Sequence, residues 1–143
     1  MVSDPISGLQ AELADMWQRG RARARKYARA IHPKLDPALY SVLVLLNRSN
    51  AVRMSDLIAA LDIEKSTLTR QIDSAERLGL VQRIPDPDDA RAKLVALTPE
   101  ARERVTTVQN RQTDEWRARL ATWDPEDVIA LTSLLHRLGS MEN

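Results

Sequence analysis

The sequence predicts a mainly α-helical fold that carries one small β-hairpin. Two observations predict it. Along most of the chain, apolar residues recur at three- and four-residue spacing, the period of a helix with one buried face. Between Leu80 and Leu97 that period gives way to two short β-branched-rich runs, LVQRI and KLVAL, separated by the turn-forming cluster PDPDDARA. At 143 residues the chain is the size of one ordinary domain. A single folding unit over residues 1–143 is therefore expected.

Each element has its own signal. A long first helix, about 5–32, places Leu9, Leu13, Met16, Ala24, Tyr27 and Ile31 on one face, with Gly20 on the same stripe. It stops near Pro33, and Asp36-Pro37 supplies an N-cap with proline at the first helical position. The second helix runs to about Leu46, with Leu39, Val42, Leu43 and Leu46 spaced for burial. A short third helix is expected from about Ser55 to Leu61, then a turn through Asp62 and Ile63, then a fourth helix from Lys65 to Leu78. Leu68, Ile72 and Ala75 form the inner stripe of that helix, and Gly79 is placed to end it in a left-handed conformation. Two short helices joined this tightly form a helix-turn-helix candidate, and the hairpin after them stands where a wing would. Thr98-Pro99-Glu100 restarts a helix, one side of which should carry Ala101, Val105, Val108, Gln112, Trp116 and Trp123. Asp124-Pro125 starts a last helix with the stripe Val128, Leu131, Leu135 and Leu138.

Composition removes several kinds of chemistry. There is no Cys, so thiolate nucleophiles, thiol redox switches and Cys-ligated zinc are excluded. His32 and His136 are the only histidines and fall in separate helical segments, so no metal site is expected. No Gly-rich phosphate loop, His-Glu metal spacing or nucleophile with an evident base is present, and no catalytic residue or cofactor is expected. No window is apolar enough to span a bilayer and the N-terminus carries no targeting pattern, which leads us to expect a soluble, cytoplasmic protein. Net charge is only +1, so any nucleic-acid role must come from a local arrangement of charge.

The segment MSDLIAALDIEKSTLTRQIDSAERLGLVQRIPDPDDARAKLVALT resembles the winged helix-turn-helix of MarR-family transcription regulators. The resemblance covers residues 52 to 98, including the LTR and LGLV signatures and the D-x-R of the wing at Asp89 and Arg91, and the flanking helices match in order and length. It implies a winged lobe over about 36–98 flanked by dimerisation helices over about 5–32 and 99–141. It further implies a homodimer that binds a palindromic operator in double-stranded DNA, acts as a repressor and is released by a small aromatic or phenolic ligand. Trp17, Tyr27, Tyr40 and Trp116 are the ligand-pocket candidates by position. The apolar stripes of the end helices independently favour an oligomer. The sequence departs from the family pattern at Ile58, where a small residue is usual, and at Asp62, where the turn glycine is usual; Asp tolerates the left-handed region better than most residues. The caps at Arg53 and Glu64 are weaker than the usual Ser or Thr.

If the fourth helix is the recognition helix, residues away from its apolar stripe face the major groove: Ser66, Thr67, Arg70, Gln71 and Ser74. Arg offers a fork to guanine, Gln pairs with adenine edges, and Ser or Thr reaches phosphate or a thymine methyl. By family analogy Ser66 and Arg70 lead this set. Lys65, Thr69, Arg83 and Lys93 complete the candidate DNA contacts. The wing packs Asp86, Asp88 and Asp89 among its bases, a puzzle if the loop meets phosphate. Asp86 and Asp88 read as turn chemistry. Asp89 is expected to pair with Arg91 or Arg70 and to aim a guanidinium at the minor groove. A further basic run, Arg19 to Arg29, reads as a solvated helix face or as a partner for acids of a second subunit, with a DNA flank as its other reading. The rival function is a winged helix used for protein assembly without specific DNA binding, because a fold does not dictate its use.

Overall fold

The computed structural model describes residues 4–141. The chain divides into two compact units, one ending at Val108 and one beginning at Gln109.

The first unit opens with α1, Pro5–Ile31. Its start is fixed by Asp4, whose carboxylate accepts from the backbone N–H of Ile6 and of Ser7, both at 3.3 Å, with proline following at the first position. Only its last turns enter the core: Tyr27, Ala28 and Ile31 are buried, whereas Ile6, Leu9, Met16 and Trp17 are exposed. After the break at Pro33, Asp36 accepts from Ala38 N at 2.9 Å and starts a 3₁₀ turn, Pro37–Leu39, which leads into α2, Tyr40–Asn47. The expected stripe of Leu39, Val42, Leu43 and Leu46 is buried. The expected second helix is thus a 3₁₀ turn followed by an α-helix.

A two-residue strand, β1 (Val52–Arg53), precedes α3 (Met54–Leu61) and α4 (Lys65–Arg77). The strand is too short to leave a periodic signal and was not anticipated. Asp62 ends α3 in the left-handed conformation at φ 50°, the role assigned to it in place of glycine. At the end of α4, Gly79 adopts φ +75° and donates to Glu76 O at 3.0 Å, while Leu80 N donates to Ala75 O at 3.0 Å. That pair of bonds is a Schellman closure, and it turns the chain sharply into the sheet.

The hairpin strands are β2 (Val81–Pro85) and β3 (Lys93–Leu97), and β3 lies central in an antiparallel sheet of order β1-β3-β2. In the register Arg83 faces Val95 and Ile84 faces Leu94, while Val52 pairs with Val95 from the other side. Leu39, Leu43, Leu46, Leu57, Leu68, Ile72, Leu80, Val95 and Val105 form the centre of one aliphatic core. Each such side chain contributes roughly 1.5–3 kcal/mol by leaving water. That core holds α4 and the wing on one frame.

Thr98 joins sheet to helix: its hydroxyl donates to Gly79 O at 2.8 Å and accepts from Ala101 N at 3.2 Å, capping α5 (Pro99–Arg119). Two arginines of α5 then close other helices. Arg102 donates to Asn47 O at 3.1 Å and Ser49 O at 3.0 Å at the end of α2, and Arg104 donates to Ile31 O at 3.4 Å at the end of α1. Cations at helix C-termini satisfy carbonyls that lack partners and oppose the negative end of the dipole.

The second unit contains the part of α5 beyond Val108 and α6, Pro125–Gly139. Here the expected stripe of α5 needs correction: Ala101, Val105 and Val108 are buried, but α5 ends at Arg119, so Trp123 lies in the turn beyond it. Trp116 is exposed, with the Arg119 guanidinium 4.6 Å above its ring. α6 has no buried residue, and Ile129, Leu131, Leu134, Leu135 and Leu138 are all exposed. Among the described residues no helix is long and apolar enough to cross a membrane.

Candidate nucleic-acid interface

The outward face of α4 follows from its buried one. With Leu68, Ile72 and Ala75 turned inward, about 100° per residue puts Ser66, Arg70 and Arg77 opposite them. All three are exposed, as is Lys65. Thr67 and Ser74 stand on one flank and are half-buried. Gln71 turns back toward the stripe, so it is half-buried, and its Oε1 is buried with no donor among the described residues. Thr67, Arg70, Gln71 and Ser74 border a shallow concavity together with Asp36 and Leu39, and Lys65, Ser66, Thr69 and Arg70 line another. The Thr69 hydroxyl donates to Lys65 O at 2.8 Å and so is engaged by its own helix. Arg77 was absent from the sequence-based set, although it lies seven residues after Arg70 and so on the same face.

In the wing, Asp86 serves the turn as expected and is also tied to Arg53, whereas Asp89 departs from expectation. Asp86 is buried, accepts from Asp88 N at 2.9 Å through Oδ1 and pairs with Arg53 Nε at 2.7 Å through Oδ2. The Asp88 N–H bond and the Arg53 guanidinium hold the Asp86 carboxyl below its ordinary pKa, against the effect of burial. Asp89 makes no ion pair with Arg91 or Arg70, and this corrects the orientation role assigned to it. Its Oδ1 accepts the backbone N–H of Arg91 at 2.9 Å, because a short side chain two residues away reaches the main chain of the turn before it reaches a guanidinium. Arg83, expected among the contacts, instead spans from β2 to α4. Its Nη2 meets Asp73 Oδ1 at 2.6 Å and its Nη1 meets Glu76 Oε2 at 3.1 Å. These carboxylates, Asp73 foremost, raise the guanidinium's pKa above its ordinary value.

Pairing therefore sorts the charge. Between Glu64 and Lys93 the sequence count of acids and bases balances, yet Asp73, Glu76 and Asp86 are all engaged with arginines of the lobe itself. Among the described residues, Lys65, Arg70, Arg77, Arg91 and Lys93 have no carboxylate partner, and all five are exposed. Cations are thus left at the start of α4, along its outward face and on the wing. Arg53, which the sequence offered only as a weak cap, proves to be the anchor of the wing base.

Of the ligand-pocket candidates, Tyr27 and Tyr40 meet with ring centroids 5.7 Å apart. Tyr27 is buried in the core, and burial raises the pKa of the half-buried Tyr40 phenol. Trp17 is exposed on α1, and Trp116 belongs to the second unit. Among the described residues no group of acidic and histidine side chains is arranged to hold a metal.

Helix-turn-helix, three-stranded sheet and cation-bearing outer helix together define a winged-helix lobe of the kind found in transcription regulators. A family model described as MarR family matches residues 35–93. The chain is 30% identical over 116 residues to YwoH of Bacillus subtilis, a protein named as an HTH-type transcriptional regulator, covering 78% of this chain and 84% of that one. It is 30% identical over 108 residues to the HTH-type transcriptional regulator PecS of Dickeya dadantii, covering 73% of this chain and 65% of that one. Its fold is similar to the crystal structure of AbsC, a MarR family transcriptional regulator from Streptomyces coelicolor. That match has a TM-score of 0.71 and 26% identity, covering 99% of this chain and 96% of that one. The chain belongs to the MarR family of transcription regulators, and neither the family nor these relatives are enzymes.

Proposed function

We propose that the protein regulates transcription in the cytoplasm as a homodimer on a palindromic operator, most simply as a repressor. α4 enters the major groove, where Arg70 reads a guanine edge and Ser66 and Lys65 meet phosphate or base. The wing tip lies along the minor groove, where Arg91 and Lys93 meet the negative potential. Thr67, Gln71 and Ser74 sit at the edge of the reading face and adjust its fit, and Asp89 shapes the turn that presents Arg91. The observation that carries this reading is the sorting of charge, which leaves five exposed cations without carboxylates on one lobe.

The homodimer is supported by the apolar residues left exposed on α1 and on α6. A small aromatic or phenolic ligand is the proposed signal for release, with the half-buried Tyr40, packed against Tyr27, as its leading contact. The experiment is selection from a random DNA pool followed by titration of the selected sequence against a scrambled one. A palindromic consensus is the expected result; enrichment of no sequence would favour a winged helix used only for protein assembly.

A further inference from the structure

The ion-pair fork at Arg83 has a consequence for how the lobe reads DNA. Arg83 lies in the middle of β2, opposite Val95, and its guanidinium is divided between two carboxylates of α4 that are three residues apart. Two charge-assisted bonds to separate acceptors fix the plane of a guanidinium as well as its position. Asp73 follows Arg70 by three residues, so the strand is tied to the helix one turn beyond the side chain proposed to read bases. Asp86, the residue after the same strand, is tied in turn to Arg53 at the start of α3. The side chains of Arg83 and Asp73 are 23% and 45% exposed, and pairs at that level of exposure contribute little to stability.

We infer that Arg83 is a positioning residue for sequence discrimination: held by Asp73 and Glu76, it sets wing and recognition helix in register so that Arg70 and Arg91 engage their grooves together. This rests on the operator-binding reading above. A guanidinium committed to two carboxylates adds little charge toward phosphate, so Arg83 acts through Arg70 and not by touching DNA.

The test is fluorescence anisotropy of the full-length protein with the selected operator and a scrambled duplex, at several salt concentrations. Wild type is compared with Arg83→Ala, Arg83→Lys and Asp73→Asn. Arg83→Ala and Asp73→Asn, which break the fork from opposite sides, should each lower the operator-to-scrambled affinity ratio by about tenfold. The salt slope on scrambled DNA should stay that of wild type in Arg83→Ala. Arg83→Lys, which keeps one bond to Asp73, should recover part of the ratio. The inference is overturned if Arg83→Ala weakens both duplexes equally with a shallower salt slope, the mark of a direct phosphate contact, or if the ratio does not change. It is equally overturned if Asp73→Asn raises the ratio. Should Arg83→Ala fail to fold by circular dichroism, Asp73→Asn decides alone. A wild-type protein that does not distinguish the duplexes defeats the operator reading itself, whereas a discriminating wild type with unaffected variants defeats only the role of Arg83.

Discussion

The Nε of Arg53 and Oδ2 of Asp86 lie 2.7 Å apart, joining the residue that precedes α3 to the base of the wing loop. The Asp86 carboxyl titrates below its ordinary range because Asp88 N–H and Arg53 both favour its charged form. Its contribution to the fold is therefore complete above the ordinary carboxylate value of about 4 and is lost as the pH falls through its lower folded-state value. The protection of the Asp88 amide relative to its intrinsic exchange rate should fall in that acid window, and Asp86→Ala should show low protection at every pH. Exchange at Asp88 that is the same in both proteins at neutral pH would count against this account of the wing.

Asp89 separates two tasks that the sequence left joined. Because it holds the Arg91 backbone and not the guanidinium, Asp89→Asn keeps the acceptor while removing a negative charge near the proposed DNA contact. DNA affinity should be equal to or higher than that of wild type in Asp89→Asn and lower in Asp89→Ala, where the turn loses its bond. Arg91→Ala should weaken binding to every sequence and flatten the salt dependence. Titrations at three salt concentrations check all three, and weaker binding by Asp89→Asn contradicts the assignment.

Arg102 closes α2 through Asn47 and Ser49 carbonyls. Hydrogen bonds from a charged group are each worth roughly 1.5–3 kcal/mol net, less where solvent reaches them, so Arg102→Ala should lose about 1–3 kcal/mol in urea unfolding. A loss under about 0.5 kcal/mol, the size of an ordinary surface substitution, would refute the closing role.

The exposed leucines of α6 bear on assembly. If they meet a second copy, Leu135→Glu should shift sedimentation from dimer to monomer at micromolar concentration. A wild-type protein that sediments as a stable monomer removes the dimer from the proposal.

The fold was legible where one interaction dominates. The stripes Leu39, Val42, Leu43, Leu46 and Leu68, Ile72, Ala75 are buried as their spacing requires, and Gly79 and Asp62 adopt the left-handed conformations their turns demand. The strand Val52–Arg53 was not legible, because two residues carry no period and their pairing with β3 is set by the rest of the lobe. At the candidate site, residue types on α4 were legible, but partnership was not. Arg83 and Arg91 both stood among the candidate contacts; only the packing of β2 beside α4 puts Asp73 and Glu76 within reach of Arg83 and leaves Arg91 without a carboxylate. Gln71 looked like a base reader until its angle on the helix turned it toward the core.

Arg70, exposed on the outward face of α4 with no carboxylate partner among the described residues, is the side chain proposed to read sequence, and this is the central claim. Titration of wild type and Arg70→Ala with the selected operator and a scrambled duplex tests it most directly. Wild type should bind the operator at least about 10³-fold more tightly than the scrambled duplex. Arg70→Ala should lose about 1–3 kcal/mol per half-site on the operator with little change on scrambled DNA. Equal losses on both duplexes, or an operator affinity that Arg70→Ala leaves intact, would contradict it.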